Sequence, residues 1–123
     1  WCGQIAENSK TVGHANVLPE MNHNEIVGWG APLPFGASGR VVFLRDSDDH
    51  PRVERRIDIT SEIIAEVGGE VRQFMSTGEG RLARMLSLVV LGDFMSLYLA
   101  HLTCSDPTPV SSIDRLKKAL SES

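Results

Sequence analysis

Cysteine is nearly absent from this chain of 123 residues, with Cys2 and Cys104 the only two. Their separation makes neither a metal-ligand spacing nor a disulfide framework, and both read as reduced thiols. Excess positive charge is missing as well. Twelve Lys and Arg stand against 16 Asp and Glu, a net charge of −4, which argues against a broad nucleic-acid surface. No basic-then-apolar segment opens the chain, so nothing signals export and a cytoplasmic location is expected. No HxxxH, HExxH or carboxylate cluster with a metal-ligand pattern is present, so neither metal nor cofactor is expected. Ser76-Thr77-Gly78-Glu79-Gly80 is not a P-loop, and there are no internal repeats or low-complexity tracts. What remains is 41% hydrophobic and 23% charged, the composition of an ordinary globular domain, and the length allows one.

The pattern along the chain alternates strands and helices. Residues 1–13 read as helix, with no breaker from Ile5 and Ala6 until Gly13, and a loop holding Asn16 and Pro19 follows. His23 to Trp29 reads as a short helix capped by Asn22 or Asn24. Residues 30–39 carry Gly30, Pro32, Pro34, Gly36 and Gly39 and form a connection. Arg40 to Arg45 is a short apolar run that fits a fully buried strand of a parallel sheet. After the polar turn Asp46 to Asp49, Pro51 opens a helix whose apolar residues Val53, Ile57, Ile63, Ile64 and Val67 recur at helical spacing up to Gly68-Gly69. Glu70 to Met75 is a second strand.

Leu82 to Leu102 is then a long helix, apolar nearly all round. Its length suits a membrane span, but Arg84, Asp93 and His101 argue against one. The expectation is a central helix buried by its own core on one side and by a partner on the other. Ser111 or Ser112 caps a last helix through Leu120. The sum is an α/β layer fold whose two strands make a poor sheet alone.

The most informative residues are polar: Glu7-Asn8-Ser9-Lys10, and Asn22-His23-Asn24-Glu25 within Leu18 to Trp29. An acid and a histidine are the pair that sugar proton transfer needs, since a carboxylate takes a proton from carbon and an imidazole shuttles one near neutral pH. With Leu44-Arg45-Asp46, His50-Pro51-Arg52, Leu86-Ser87-Leu88, Leu91-Gly92-Asp93-Phe94 and Asp106-Pro107-Thr108-Pro109-Val110 in order, the chain resembles the C-terminal half of bifunctional phosphoglucose/phosphomannose isomerases. These are a branch of the sugar isomerase (SIS) domain proteins. The resemblance implies a flavodoxin-like three-layer αβα fold on a parallel sheet of about five strands. It also implies that residues 1–123 are a C-terminal SIS domain cut short on its N-terminal side. The first SIS domain, with its serine-rich phosphate loops, would lie outside.

The same resemblance implies the chemistry: interconversion of glucose 6-phosphate or mannose 6-phosphate with fructose 6-phosphate through an enediol, which needs no metal. Taken alone, Glu7 is a solvated helix glutamate. The resemblance makes it the base that moves a proton between C2 and C1, with a raised pKa an advantage if burial supplies it. His23 is implied to open the sugar ring and to reach the neighbouring subunit's site, making a homodimer the working unit. Glu25, two residues on, reads as structural. Lys117, in Ile113-Asp114-Arg115-Leu116-Lys117, is implied to carry charge developing on the enediolate. Lys118 is its alternative, and a last-turn lysine also suits the helix dipole. Thr108 is implied to bind substrate, or else is a turn residue. His14, His50 and His101 carry no implied role. Two other readings stay open: a sugar-phosphate-binding SIS module without turnover, and a dimerisation piece without activity by itself.

Overall fold

The computed structural model describes residues 1–29 and 39–122, so the expected connection at 30–39 lies almost wholly outside the described residues. Within them the order is α1 (Cys2–Ser9), a 3₁₀ turn (Glu20–Asn22), α2 (Glu25–Trp29), β1 (Arg40–Arg45), α3 (Pro51–Glu66), β2 (Glu70–Met75), α4 (Arg81–Leu102) and α5 (Ser111–Ser121). The chain divides into two compact units.

The unit Ala15–Leu88 is built on β1–α3–β2. The strands pair in parallel, Arg40 opposite Glu70 through Arg45 opposite Met75, as a helical crossover between them requires. Helix α3 starts where the sequence reading placed it. Pro51 sits in its first turn, where its missing N–H costs nothing, and His50 caps it by accepting from the Arg52 N–H through Nδ1 at 3.1 Å. The helix ends before Gly68, whose φ of 85° suits glycine. Its buried stripe is Ile57, Thr60 and Ile64. These spacings of three and four lie on one helical face. Ile57 and Ile64 form a core with Met21, Trp29 and Phe43, and Leu18, Val41, Val53 and Val71 pack around it.

β1 is not the fully buried strand expected of it. Phe43 is buried, whereas Val42 and Leu44 on the other face are exposed. Side chains alternate across a strand, and α3 covers only one side of this two-stranded ladder.

The carboxyl ends of the strands carry a charged network. Arg45 is buried and pairs with Asp49 at 2.8 Å, Glu54 at 3.2 Å and the Gln73 amide oxygen at 2.8 Å. Asp46 accepts from Arg84 Nε at 3.0 Å and from the Ser76 hydroxyl at 2.6 Å, and Arg84 also reaches Asp48. The Arg84 guanidinium, then Ser76 and the Asp48 N–H, hold the Asp46 carboxyl well below the usual carboxylate range. Asp46 in turn holds the Arg84 guanidinium above its ordinary value. A carboxyl lowered in the folded state stabilises fully above its unfolded pKa of about 4 and loses that contribution as pH falls further. Acid should therefore destabilise the protein partly through this pair. Asp46→Asn should lower the urea midpoint at pH 7 and shrink the midpoint's drop between pH 5 and pH 3. An unchanged drop would remove Asp46 from the acid response.

In the other unit, Trp1–His14 with Val89–Ser123, α1 seats on α4. Among the residues of α4 only Gly92, Ser96 and Ala100 are buried. They are small residues at every fourth position, so one stripe allows close approach. Gln4 donates to the Val89 carbonyl at 3.0 Å and to Asp93 at 2.5 Å, and Asn8 donates to the Ser96 hydroxyl at 2.8 Å. This corrects the expectation that α4 is buried by its own core. Leu82, Phe94, Tyr98 and Leu102 are 69, 56, 67 and 79% exposed, because within this chain α4 meets α1 through its small residues and not its large ones. By length and composition α4 could cross a membrane. Two of its charges are engaged by protein, however, Arg84 by Asp46 and Asp48 and Asp93 by Gln4.

A Cβ at position 92 would lie 2.5 Å from the Trp1 ring and from Gln4 Oε1. Gly92→Ala should therefore force α1 outward and cost about 1–3 kcal/mol, read as a lowered unfolding midpoint. A variant as stable as the parent would show that α1 is not seated as described.

Two smaller boundaries also differ from the sequence reading. Helix α1 stops at Ser9, with Lys10 in the left-handed region at φ 56°, and not at Gly13. Helix α5 has Val110 at its N-cap with no side-chain cap. Ser111 and Ser112 fall inside the helix and do not cap it.

Candidate active site

Glu7 lies on α1 and lines an open cleft of about 660 Å³ with Gly3, Ala6, Lys10 and residues 109–113. That volume is in the range of small-molecule sites. The four residues of Glu7-Asn8-Ser9-Lys10 diverge because a helix turns about 100° per residue. Glu7 faces the cleft and is exposed. Asn8 faces α4 and bonds Ser96. Ser9 is buried, its hydroxyl donating to the Ile5 carbonyl at 2.6 Å. Lys10 Nζ donates to the Glu7 carbonyl at 2.7 Å, to Pro109 O at 2.8 Å and to Pro107 O at 3.3 Å. Three different jobs around one carboxylate account for the dense polar setting.

The first turn of α5 forms another part of the cleft wall, through Ser111, Ser112 and Ile113. Lys117 is exposed one turn beyond Ile113. At four residues' separation it shares Ile113's face, whereas Lys118 is turned well away. Thr108 is exposed, and its N–H donates to Asp106 Oδ1 at 2.9 Å in a side-chain-closed turn. It is not a lining residue, but its neighbour Pro109 is.

His23 belongs to the other unit. It follows the 3₁₀ turn, with its N–H donating to the Glu20 carbonyl at 2.9 Å. The residues around it are tied down. Asn22 donates to the Thr60 hydroxyl at 2.8 Å, which also satisfies the one polar residue on α3's buried stripe. Asn24 accepts from the Glu25 N–H at 2.6 Å at the start of α2 and donates to Glu20 at 2.9 Å. Glu25 accepts from Asn16 at 2.8 Å, the structural role read for it. The His23 side chain is exposed and has no hydrogen-bond partner among the described residues. The motif is a rigid mount for one imidazole presented to solvent.

Glu7, Lys117 and Thr108 thus belong to one unit, with Glu7 alone of the three lining the cleft, while His23 belongs to the other. Sequence reading missed Lys10, Gly92 and Arg84. Gly92, Ser96 and Ala100 were findable, since small residues at every fourth position in an apolar helix mark a close contact. The bonds of Lys10 and Arg84 span more than thirty positions of chain and left no local trace. No group of three or more possible metal ligands occurs among the described residues.

The family model described as the bacterial phospho-glucose isomerase C-terminal SIS domain matches residues 1–120. A bifunctional phosphoglucose/phosphomannose isomerase of Caldicellulosiruptor bescii is 50% identical over 99% of this chain and 36% of its own length. One of Aquifex aeolicus is 45% identical over 98% and 37%, and one of Thermoplasma volcanium 32% identical over 98% and 38%. The chain spans little more than a third of the length of these curated relatives. No solved structure matches it.

Proposed function

Because the chain belongs to the family of bacterial phospho-glucose isomerase C-terminal SIS domains, an α/β fold, we propose that its protein is a sugar-phosphate isomerase. The reaction interconverts glucose 6-phosphate or mannose 6-phosphate with fructose 6-phosphate, and this chain supplies the proton-transfer groups. The observation that carries the reading is Glu7 in the wall of the cleft, with its three motif neighbours each held by another partner. A carboxylate free to face substrate takes the C2 proton of an open-chain aldose, C2–H breaks, and an enediol forms as O1 is protonated. Returning the proton to C1 as O2 gives up its own proton forms the C2 carbonyl and completes the ketose. One base serves both aldoses because the planar enediol has lost the C2 stereocentre.

Lys117 supplies positive charge near the developing oxyanion, and the uncapped first turn of α5 adds its dipole. Thr108 contacts substrate from the turn beside Pro109. His23 opens the ring by moving a proton at the ring oxygen. Its exposed position, without a hydrogen-bond partner among the described residues, suits a role in the site of a second copy. The exposed apolar side of α4 supports the same homodimer, since a patch of that kind is unusual on a monomer. The working protein is cytoplasmic and needs neither metal nor cofactor. Phosphate-gripping groups are supplied from outside this chain, so residues 1–123 alone should not turn over.

A coupled assay of the full-length protein, following glucose 6-phosphate and mannose 6-phosphate made from fructose 6-phosphate, tests the reading. Fructose 6-phosphate binding without either product would favour the sugar-phosphate-binding module instead.

A further inference from the structure

The isomerase reading gives Lys10 no task, yet its side chain is the most constrained in the cleft. Its ammonium donates to three carbonyls, those of Glu7, Pro107 and Pro109. Two of the three bracket Thr108, about a hundred positions away in sequence. The third is the carbonyl of Glu7 itself, left unpaired because α1 ends at Ser9. The backbone at Lys10 is at φ 56°, ψ 26°, a left-handed conformation that favours glycine or asparagine at a helix end. A lysine is a costly residue at that position on backbone grounds, which leaves the side chain to account for it.

We propose that Lys10 is a positioning residue that clamps the 107–109 turn to the end of α1 and so sets the width of the cleft between Glu7 and the first turn of α5. The proposal rests on the isomerase reading for its effect on turnover, but the clamp itself is a statement about the 107–109 turn. The mechanism is geometric. Pro107 and Pro109 lack N–H groups and cannot donate bonds that would hold the turn, and the Thr108 N–H is already given to Asp106. The turn is therefore fixed through its carbonyls, and Lys10 is the cation that reaches two of them. Released, it carries Pro109 and Val110 away from the cleft wall, and the substrate carbons lose their alignment with Glu7.

Lys10→Asn separates this from a stability role, because asparagine suits the left-handed backbone while lacking the ammonium. In the full-length protein we expect its unfolding midpoint to hold or rise. The kcat on fructose 6-phosphate should fall about tenfold to a hundredfold with KM little changed, the signature of lost alignment. Amide hydrogen exchange at Thr108 and Val110 should quicken about tenfold, and Lys10→Arg should restore most of both. Glu7→Gln is assayed in parallel. If it keeps wild-type turnover, the isomerase reading fails and exchange at Thr108 and Val110 alone decides the clamp. If Glu7→Gln is inactive, wild-type kcat in Lys10→Asn overturns the positioning role, and unchanged exchange overturns the clamp.

Discussion

Glu7→Gln in the full-length protein should abolish formation of glucose 6-phosphate and mannose 6-phosphate together, by about 10²–10⁴-fold for loss of a general base. Glutamine keeps the shape and the hydrogen-bonding oxygen but cannot hold a proton taken from carbon. The fold should not respond. Glu7 is exposed, and the bond its backbone carbonyl accepts from Lys10 is one the substitution leaves intact. Binding of fructose 6-phosphate should survive for the same reason. Paired product assays with a binding titration check this. Loss of one activity with the other near wild type would mean the two aldoses do not share Glu7.

His23→Ala should slow ring-closed hexose phosphates far more than an analogue that cannot cyclise, with a loss on the cyclic substrate of about 10²–10⁴-fold. The mount makes this a clean experiment. Asn22, Asn24 and Glu25 hold the local backbone through Thr60, Glu20 and Asn16, and the imidazole itself is exposed. A structural loss should instead follow Asn22→Ala, which leaves the Thr60 hydroxyl, 1% exposed, without its donor. That change should cost about 1–3 kcal/mol. Equal losses from His23→Ala on both substrates would assign His23 to another step. If the imidazole works in a second copy's site, mixing inactive Glu7→Gln and His23→Ala proteins should recover part of the activity in hybrid dimers.

Much of this molecule is determined by local chemistry and was readable in the chain. Pro51 in the first turn, the helical spacing of Val53, Ile57, Ile64 and Val67, and the glycines at 68 and 69 specify α3, because first-turn prolines, stripes and left-handed exits act within a turn or two; the His50 cap and the place of Thr60 on the buried stripe came only with the structure. Arg40–Arg45 and Glu70–Met75 are strands for the same kind of reason, and parallel pairing follows from the helix between them. The polar settings of Glu7 and His23 stand out by residue type alone.

What the tertiary structure decided is everything carried by partners distant in sequence. That α1 ends at Ser9, two residues after the glutamate in the cleft wall, goes with Lys10 finding the carbonyls of Pro107 and Pro109. That α4 turns Gly92, Ser96 and Ala100 to α1 and leaves its leucines exposed could not be seen in a helix whose apolar residues surround it. Periodicity reports a face only when one side is polar. Nor could Asp46–Asp49 be distinguished from an ordinary polar turn until Arg84 and Ser76 were brought to it. An ion pair is selected by distance in space, and neither residue type nor spacing encodes that distance.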